Sequence, residues 1–500
     1  MRTPSADGGG NFTGDLKIGP RRGLTLDRVW ALLPVLIASA TAMASRMVAI
    51  DLAYQVRAGD GILRTGHIPR VDTFTFSVPG GRWFDQQWGA QVLLALTHRL
   101  GGWATTSLVR AGLVAAAIGL VYLACRARGA SPRTASVLSL CGFLVAIQAL
   151  AMRPQLFAIT LFAACLWALA SRRAHPGRVW LAPVFAAVWA NVHGTFVLAP
   201  LLVGLTFATE LAEGHRKEAR RLLVVGAATV AATFITPFGP SVWTYAYQLV
   251  TNPVVRNNVT EWAPVTIRSF GGAAFFGSAL GVMAYLARRE ERVPWADLLW
   301  LTGFFVLALP AVRGIVWWGL VAPVIVAGIA GSDHLETEER HDAERAGSAV
   351  MNRLVVAVLV AGLVIALPYW RGSSATAMLS QAPVGLSDAV NGTLSPDTRL
   401  FVSEPWASWF EFAQPSIPVF TDPRIEIFPA SVWNDYNEIH VAGSRWQQVL
   451  DSWKVQAVVV DRDDFSSLLA VMRVSPLWTA VYEDRDGVLF VRAGSPAEAS

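Results

Sequence analysis

An acid, Asp51, stands where the first long apolar segment ends, and a polar stretch over 51–100 follows it. A carboxylate within hydrogen-bond reach is the simplest general base for a hydroxyl that must lose its proton as it attacks. Asp51 fits that role, and it also fits a polar residue that only marks a helix end. Asp85 is a candidate second catalytic acid and Asp72 a candidate binding residue. Each is open to three readings: assisting the base, holding a divalent cation (Mg or Mn) through oxygen ligands, or capping a turn or helix. The stretch also holds Ile62, Leu63, Phe74, Phe76, Trp83, Phe84 and Trp88. Loops this long inside a compact unit are functional or disordered, and that apolar content argues for order.

Guanidinium forks bind the oxygens of phosphates and carboxylates bidentately. Arg153 and Arg313 sit at the ends of apolar spans, where charge is costly and usually functional; snorkelling or pairing with a loop acid is the alternative. Arg57 either joins them or pairs with Asp51. Arg46 and Arg110 lie within spans, where the reading is interhelix pairing. His193 lies at a break beside Gly194, placed to bind a phosphate or hydroxyl, or to pair structurally with Asn191.

These residues hang on a hydrophobic frame. Of 500 residues, 53% are hydrophobic and 15% charged, and mean hydropathy is +0.42. Soluble domains carry about a quarter charged residues, so this composition belongs to a polytopic membrane protein. The net charge of +5 is dispersed over short loops, without the basic face that nucleic acid requires. Cys125, Cys141 and Cys165 lie in or beside apolar spans, which leaves no disulfide framework and no cysteine metal cluster.

Apolar runs at 30–50, 103–125, 134–151, 154–171, 179–193, 194–212, 220–239, 269–287, 295–311, 314–331 and 351–369 predict about eleven spans. Basic residues recur in alternate connections: Arg126, Arg128 and Arg133; Arg172, Arg173 and Arg178; Arg216, Lys217, Arg220 and Arg221; Arg288, Arg289 and Arg292. By the positive-inside rule these connections and the leader 1–28 are cytoplasmic. The expected organisation is therefore a cytoplasmic tail over 1–28 and a transmembrane domain over 29–371 with a first extracytoplasmic loop at 51–102. A soluble extracytoplasmic α/β domain over 372–500 follows. That last unit predicts strands at 400–403, 419–421 and 457–460 and a terminal hairpin around Arg485-Asp486-Gly487, and its size suits independent folding.

Asp51-Leu52, Arg57-Ala58-Gly59, Gly66-His67-Ile68-Pro69, Asp72 with Phe74, Gly80 with Trp83, and Asp85 to Trp88 resemble the first-loop pattern of bacterial GT-C-type glycosyltransferases. Arg153-Pro154-Gln155, Asn191 with His193-Gly194, Glu261-Trp262, Arg313, and Val419-Phe420-Thr421-Asp422 with Arg424 extend the resemblance along the chain. The resemblance implies a GT-C-like helical bundle and a polyprenyl-phosphate-linked sugar donor. It also implies an aspartate base in the first loop, matched by Asp51. An extracytoplasmic lipid, glycan or protein would be the acceptor, at the plasma (inner) membrane. Glu261 and Trp262 would then help bind substrate, the tryptophan by stacking on a sugar or as an interfacial belt residue. Gln87 departs from the pattern, where relatives often carry an acid. Two other functions compete: a lipid or sugar flippase, disfavoured because the large first loop has no counterpart in the second half, and a non-catalytic assembly protein.

Overall fold

In the computed structural model of the chain, residues 24–334 and 349–494 are described. Most of the leader 1–28 and of the mixed-charge connection 332–348 lies outside them. Every apolar run is helical. Helix α1 (Leu26–Ala44) leads through a two-residue strand, β1 (Met47–Val48), to Asp51 and α2 (Ala53–Thr65). Then come α3 (Trp88–Ala127), α4 (Pro132–Ala146), α5 (Pro154–Ala170), α6 (Leu181–Trp189), α7 (Leu198–Ala212) and α8 (Arg216–Ala232). Two short helices, α9 (Ser241–Thr251) and α10 (Pro253–Asn258), precede α11 (Phe270–Ala287), α12 (Trp295–Ala308), α13 (Ile315–His334) and α14 (Ala349–Ile365).

Six of the described helical segments are long and apolar enough to cross a membrane: Leu26–Ala44, Trp88–Ala127, Pro132–Ala149, Gly194–Ala212, Phe270–Ala287 and Val312–Gly331. Three apolar helices, Pro154–Ala170, Trp295–Ala308 and Val350–Ile365, are shorter. The remaining two runs give α6, of nine residues, and α8, of 17. Helix α6 covers roughly 14 Å at 1.5 Å per residue, half of a ~30 Å hydrocarbon core.

Helix α3 is broken at Gly101 and Gly102. Gly102 has φ 62° and ψ −153°, a backbone region that essentially only glycine occupies. Before the break the helix packs on α2, and after it the helix enters the bundle. Gly59 of α2 permits that packing, since a Cβ there would lie 2.0 Å from the Gln91 carbonyl oxygen.

The C-terminal region carries a four-stranded sheet of β3 (Leu400–Phe401), β4 (Ala457–Asp461), β5 (Trp478–Glu483) and β6 (Gly487–Arg492), in the order β3-β4-β6-β5. Strands β5 and β6 pair antiparallel, as the hairpin signal predicts. Upstream, β2 (Leu379–Ser380) pairs parallel with β1, Met47 opposite Leu379 and Val48 opposite Ser380. Val419 bridges both Thr75 of the first loop and Leu400.

Packing does not divide where composition does. Trp406, Trp409 and Phe410, on the helix Glu404–Ala413, share one continuous core with Leu52, Val56 and Leu94. Ser408 accepts from the Tyr54 amide (2.9 Å) and donates to the Ala49 carbonyl (3.0 Å). Expressed alone, residues 372–500 would lose the contacts of this helix with α2, and each large apolar side chain uncovered there would cost about 1.5–3 kcal/mol. Such a fragment is expected to lack a cooperative thermal transition. A sharp melt of the isolated fragment would show that the C-terminal region needs none of this interface.

Candidate active site

The β1 pairing and the Ser408 bridge fix the short turn between β1 and α2, and this turn presents Asp51 to a cavity of about 430 Å³. Membrane-side, loop and C-terminal residues all line it. Arg153 comes from the residue before α5, where Pro154 starts the helix. Glu261 and Trp262 come from a single 3₁₀ turn after α10, and Arg313 from another before α13.

These side chains form a row of alternating charge. Arg153 Nη1 lies 3.1 Å from Asp51 Oδ2 and 2.8 Å from Glu261 Oε1. Arg313 Nη2 lies 3.5 Å from Glu261 Oε2, and its guanidinium stands 5.0 Å from the centre of the Trp262 ring. About a third of the Asp51 side chain (31%) remains accessible. Burial raises its pKa above the ordinary carboxylate value; Glu261 adds to the rise, and Arg153 and Arg313 oppose it. Behind the two arginines, a smaller cavity of about 170 Å³ runs between apolar residues including Val145, Val312 and Val316.

His193 faces the same cavity from the turn after α6. That turn is pinned to the first loop: Trp88 Nε1 donates to Asn191 Oδ1 (3.0 Å) and Gln86 Nε2 to the Ala190 carbonyl (2.7 Å). His193 Nδ1 accepts from the Thr195 amide at 3.2 Å, which assigns the ring proton to Nε2. Burial, with Arg313 and Arg153 nearby, pushes its pKa down to about 3, so the ring is a neutral N–H donor at neutral pH. Gln87 also lines the cavity and accepts from Gln55 Nε2 at 2.8 Å.

Arg57, Asp72 and Asp85 lie outside this cavity lining. Arg57 donates to the carbonyls of Glu411 (2.9 Å) and Pro415 (3.0 Å) and stacks 4.0 Å from the Phe74 ring centre. Asp72 accepts from the Phe74 and Thr75 amides and the Thr75 hydroxyl, at 3.2, 3.1 and 2.6 Å, and pairs with Arg424. Arg424 also grips Asp422 and lies over Phe74 and Trp83. This buried knot clasps the first loop to the C-terminal region. Asp85 accepts from Gln91 Nε2 (2.7 Å), and burial raises its pKa to about 7.

The position of Asp85 has a measurable consequence. A buried acid with a raised pKa binds its proton more tightly folded than unfolded, so its contribution to stability falls as pH rises through that range. Asp85→Asn keeps an acceptor for Gln91 and removes the ionisation. Its thermal midpoint is therefore expected to exceed that of wild type at pH 8 and to match it near pH 4, with activity retained. A loss of more than tenfold in activity would instead make Asp85 part of the chemistry.

The C-terminal region adds further cavity residues, of which Glu404 and Glu426 carry no signal in sequence. Glu404, Arg424 and Glu426 line the side away from the bundle, with Tyr245 donating to Glu426 Oε1 at 3.0 Å. Burial raises the Glu404 pKa to about 8, with Asp51 and Asp422 adding to the rise, so it is largely protonated at neutral pH. Only the 419–424 segment was marked beforehand, through the resemblance.

Among the described residues, no three potential ligand side chains gather at Asp51. Its counter-charge is Arg153, and Gln87, elsewhere in the same cavity lining, is an amide. Among the described residues, three potential ligand side chains gather only at Glu210, Glu213 and His215. That group sits at the opposite end of the bundle, where Arg172 and Arg173 already pair with the two glutamates.

No protein-family model matches the sequence, and no curated protein matches it. Solved structures do match. The Archaeoglobus fulgidus oligosaccharyltransferase in its apo form aligns with a TM-score of 0.54 at 14% identity, covering 87% of this chain and 70% of that one. ArnT from Cupriavidus metallidurans, solved with undecaprenyl phosphate, aligns with a TM-score of 0.52 at 15% identity, covering 93% and 98%. Both are GT-C-type glycosyltransferases. At this identity the likeness is one of fold: the chain is a membrane protein with a GT-C-type helical bundle and a small C-terminal sheet.

Proposed function

We propose that this chain is a glycosyltransferase that moves a sugar from a polyprenyl-phosphate carrier to an acceptor hydroxyl at the extracytoplasmic face of the plasma membrane. The shared fold supports this reading in outline, and ArnT binds undecaprenyl phosphate on the same fold. The observation that carries it for this chain is the row Asp51–Arg153–Glu261–Arg313 along one cavity, with an apolar side cavity behind the arginines. The N-terminus is cytoplasmic, and Asp51 and the C-terminal region are outside, because the basic connections lie at the far end of the bundle.

In this reading the carrier phosphate sits on Arg153 and Arg313, with its prenyl chain toward the apolar side cavity. As phosphate draws Arg153 away, Asp51 loses its main counter-charge and becomes the stronger base. The acceptor oxygen attacks the anomeric carbon while the bond from that carbon to the phosphate oxygen breaks. Asp51 takes the hydroxyl proton, and the carrier leaves as a phosphate whose added charge the two guanidiniums neutralise. The His193 Nε2–H donates to the phosphate or a sugar hydroxyl, and Trp262 stacks on the sugar. One direct displacement inverts the anomeric centre.

Transfer of a labelled sugar from a synthetic polyprenyl-phosphate donor by the purified protein tests this directly, with product configuration read by NMR. An inverted glycoside is expected. A retained configuration would contradict single displacement, and lipid movement between leaflets without transfer would favour a flippase. Because Arg153 stands where a cation would neutralise Asp51, EDTA is expected to change turnover less than twofold. Abolition by EDTA with rescue by Mg or Mn would show that a metal takes part.

A further inference from the structure

Arg46 and Arg110 stand apart from the row at Asp51. Sequence reasoning paired them with neighbouring helices, and the structure gives Arg110 only neutral partners. Its Nη2 donates to Ser45 Oγ at 2.6 Å. Its Nη1 lies 3.3 and 3.4 Å from the Ser45 and Arg46 carbonyls, and its Nε 3.3 Å from that of Leu150. Arg110 is 8% exposed. Arg371 lies nearby and is bonded to the carbonyls of Met43 and Ala44. Among the described residues, none of these three arginines forms an ion pair with a carboxylate.

Arg46 and Arg110 line a cleft of about 310 Å³ between α1, α3 and the end of α4. Its other walls are mainly apolar, including Val114, Phe143 and Ile147. On α4, Val137 and Leu144 are exposed, as they would be against hydrocarbon. The cleft shares Val48 and Ala151 with the catalytic cavity and no charged residue. An anion seated here touches no charged side chain of the row at Asp51. A soluble anion would leave the apolar walls unfilled, whereas an anionic lipid satisfies both parts of the cleft.

We propose that this cleft is a site for one anionic phospholipid, its phosphate on Arg46 and Arg110 and an acyl chain along Val114 and Phe143. The lipid is resident and does not react. It completes the charge balance of a buried guanidinium that holds the carbonyls just ahead of β1, and β1 leads directly to Asp51. The site thus couples bilayer composition to the position of the catalytic turn. It stands on the cleft and its cations, and does not depend on which reaction the cavity performs.

Native mass spectrometry of the purified full chain tests this, with phosphatidylglycerol, phosphatidylcholine and undecaprenyl phosphate as competing lipids. The expected result is one retained phosphatidylglycerol, favoured over phosphatidylcholine by about tenfold, as a single charge-assisted contact gives. Arg46→Gln, on an exposed side chain, is expected to fold normally and to lose most of that preference. Arg110→Gln should remove the rest, and Arg268→Gln, exposed outside the cleft, should leave it unchanged. Equal retention of the two phospholipids by wild type, or full preference in Arg46→Gln, would overturn the proposal. Displacement of phosphatidylglycerol by equimolar undecaprenyl phosphate would also overturn it, by making the cleft a carrier site.

Discussion

Asp51→Asn is expected to slow sugar transfer by about 10²–10⁴-fold, the usual cost of losing a general base, while leaving carrier-lipid affinity within a few-fold of wild type. Asparagine keeps the size and hydrogen bonding of the side chain and removes only its ability to accept a proton. Arg153 and Arg313, which would hold the phosphate, remain in place. The pH profile of the wild type carries a second signature. Burial raises the Asp51 pKa, and a base acts only when ionised. The acid limb of kcat/KM should therefore lie above the ordinary aspartate value of about 3.9, with the rate falling tenfold per pH unit below it, and Asp51→Asn should lose that limb. An Asp51→Asn enzyme with an undiminished rate would remove Asp51 from the mechanism.

The second large effect is on stability. Arg424 is 2% exposed, and it neutralises the fully buried carboxyls of Asp72 and Asp422 together. Taking away one partner of a buried ion pair strands the others in a low dielectric, at a cost of about 3–5 kcal/mol. Arg424→Met is expected to destabilise the protein by that amount in denaturant titrations in detergent. It should also loosen the loop on which Asp51 depends. Adding Asp422→Leu should restore part of the loss, since it removes one stranded acid. Unchanged stability in Arg424→Met would mean that water reaches this knot and that the clasp between loop and C-terminal region is weak.

Much of the cavity was legible in the sequence because hydropathy marks helix ends. Asp51, Arg153 and Arg313 are charges at the edges of apolar runs, and His193 and Glu261-Trp262 interrupt or precede such runs; all of them face one cavity. Arg57, Asp72 and Asp85 came from the same loop by the same logic, but residue type does not reveal which side of a loop faces the cavity. Arg57 turns toward the Glu411 carbonyl and Asp72 toward Arg424, in a region more than 300 residues away. Glu404 and Glu426 escaped notice for the converse reason. Nothing local distinguishes a surface glutamate from one that long-range packing folds over a cavity. Helix α6 belongs to one long apolar stretch that hydropathy alone does not divide; the turn at Asn191–His193, bonded to the first loop, divides it.

A structure of Asp51→Asn trapped with its intact sugar–phosphate carrier is the most direct test of the catalytic assignment. The phosphate is expected within hydrogen-bond distance of Arg153 and Arg313, with the prenyl chain in the side cavity lined by Val145 and Val316. The anomeric carbon should face residue 51, with room for an acceptor oxygen between them. A carrier phosphate seated instead on Arg46 and Arg110, or an anomeric carbon turned away from residue 51, would contradict it.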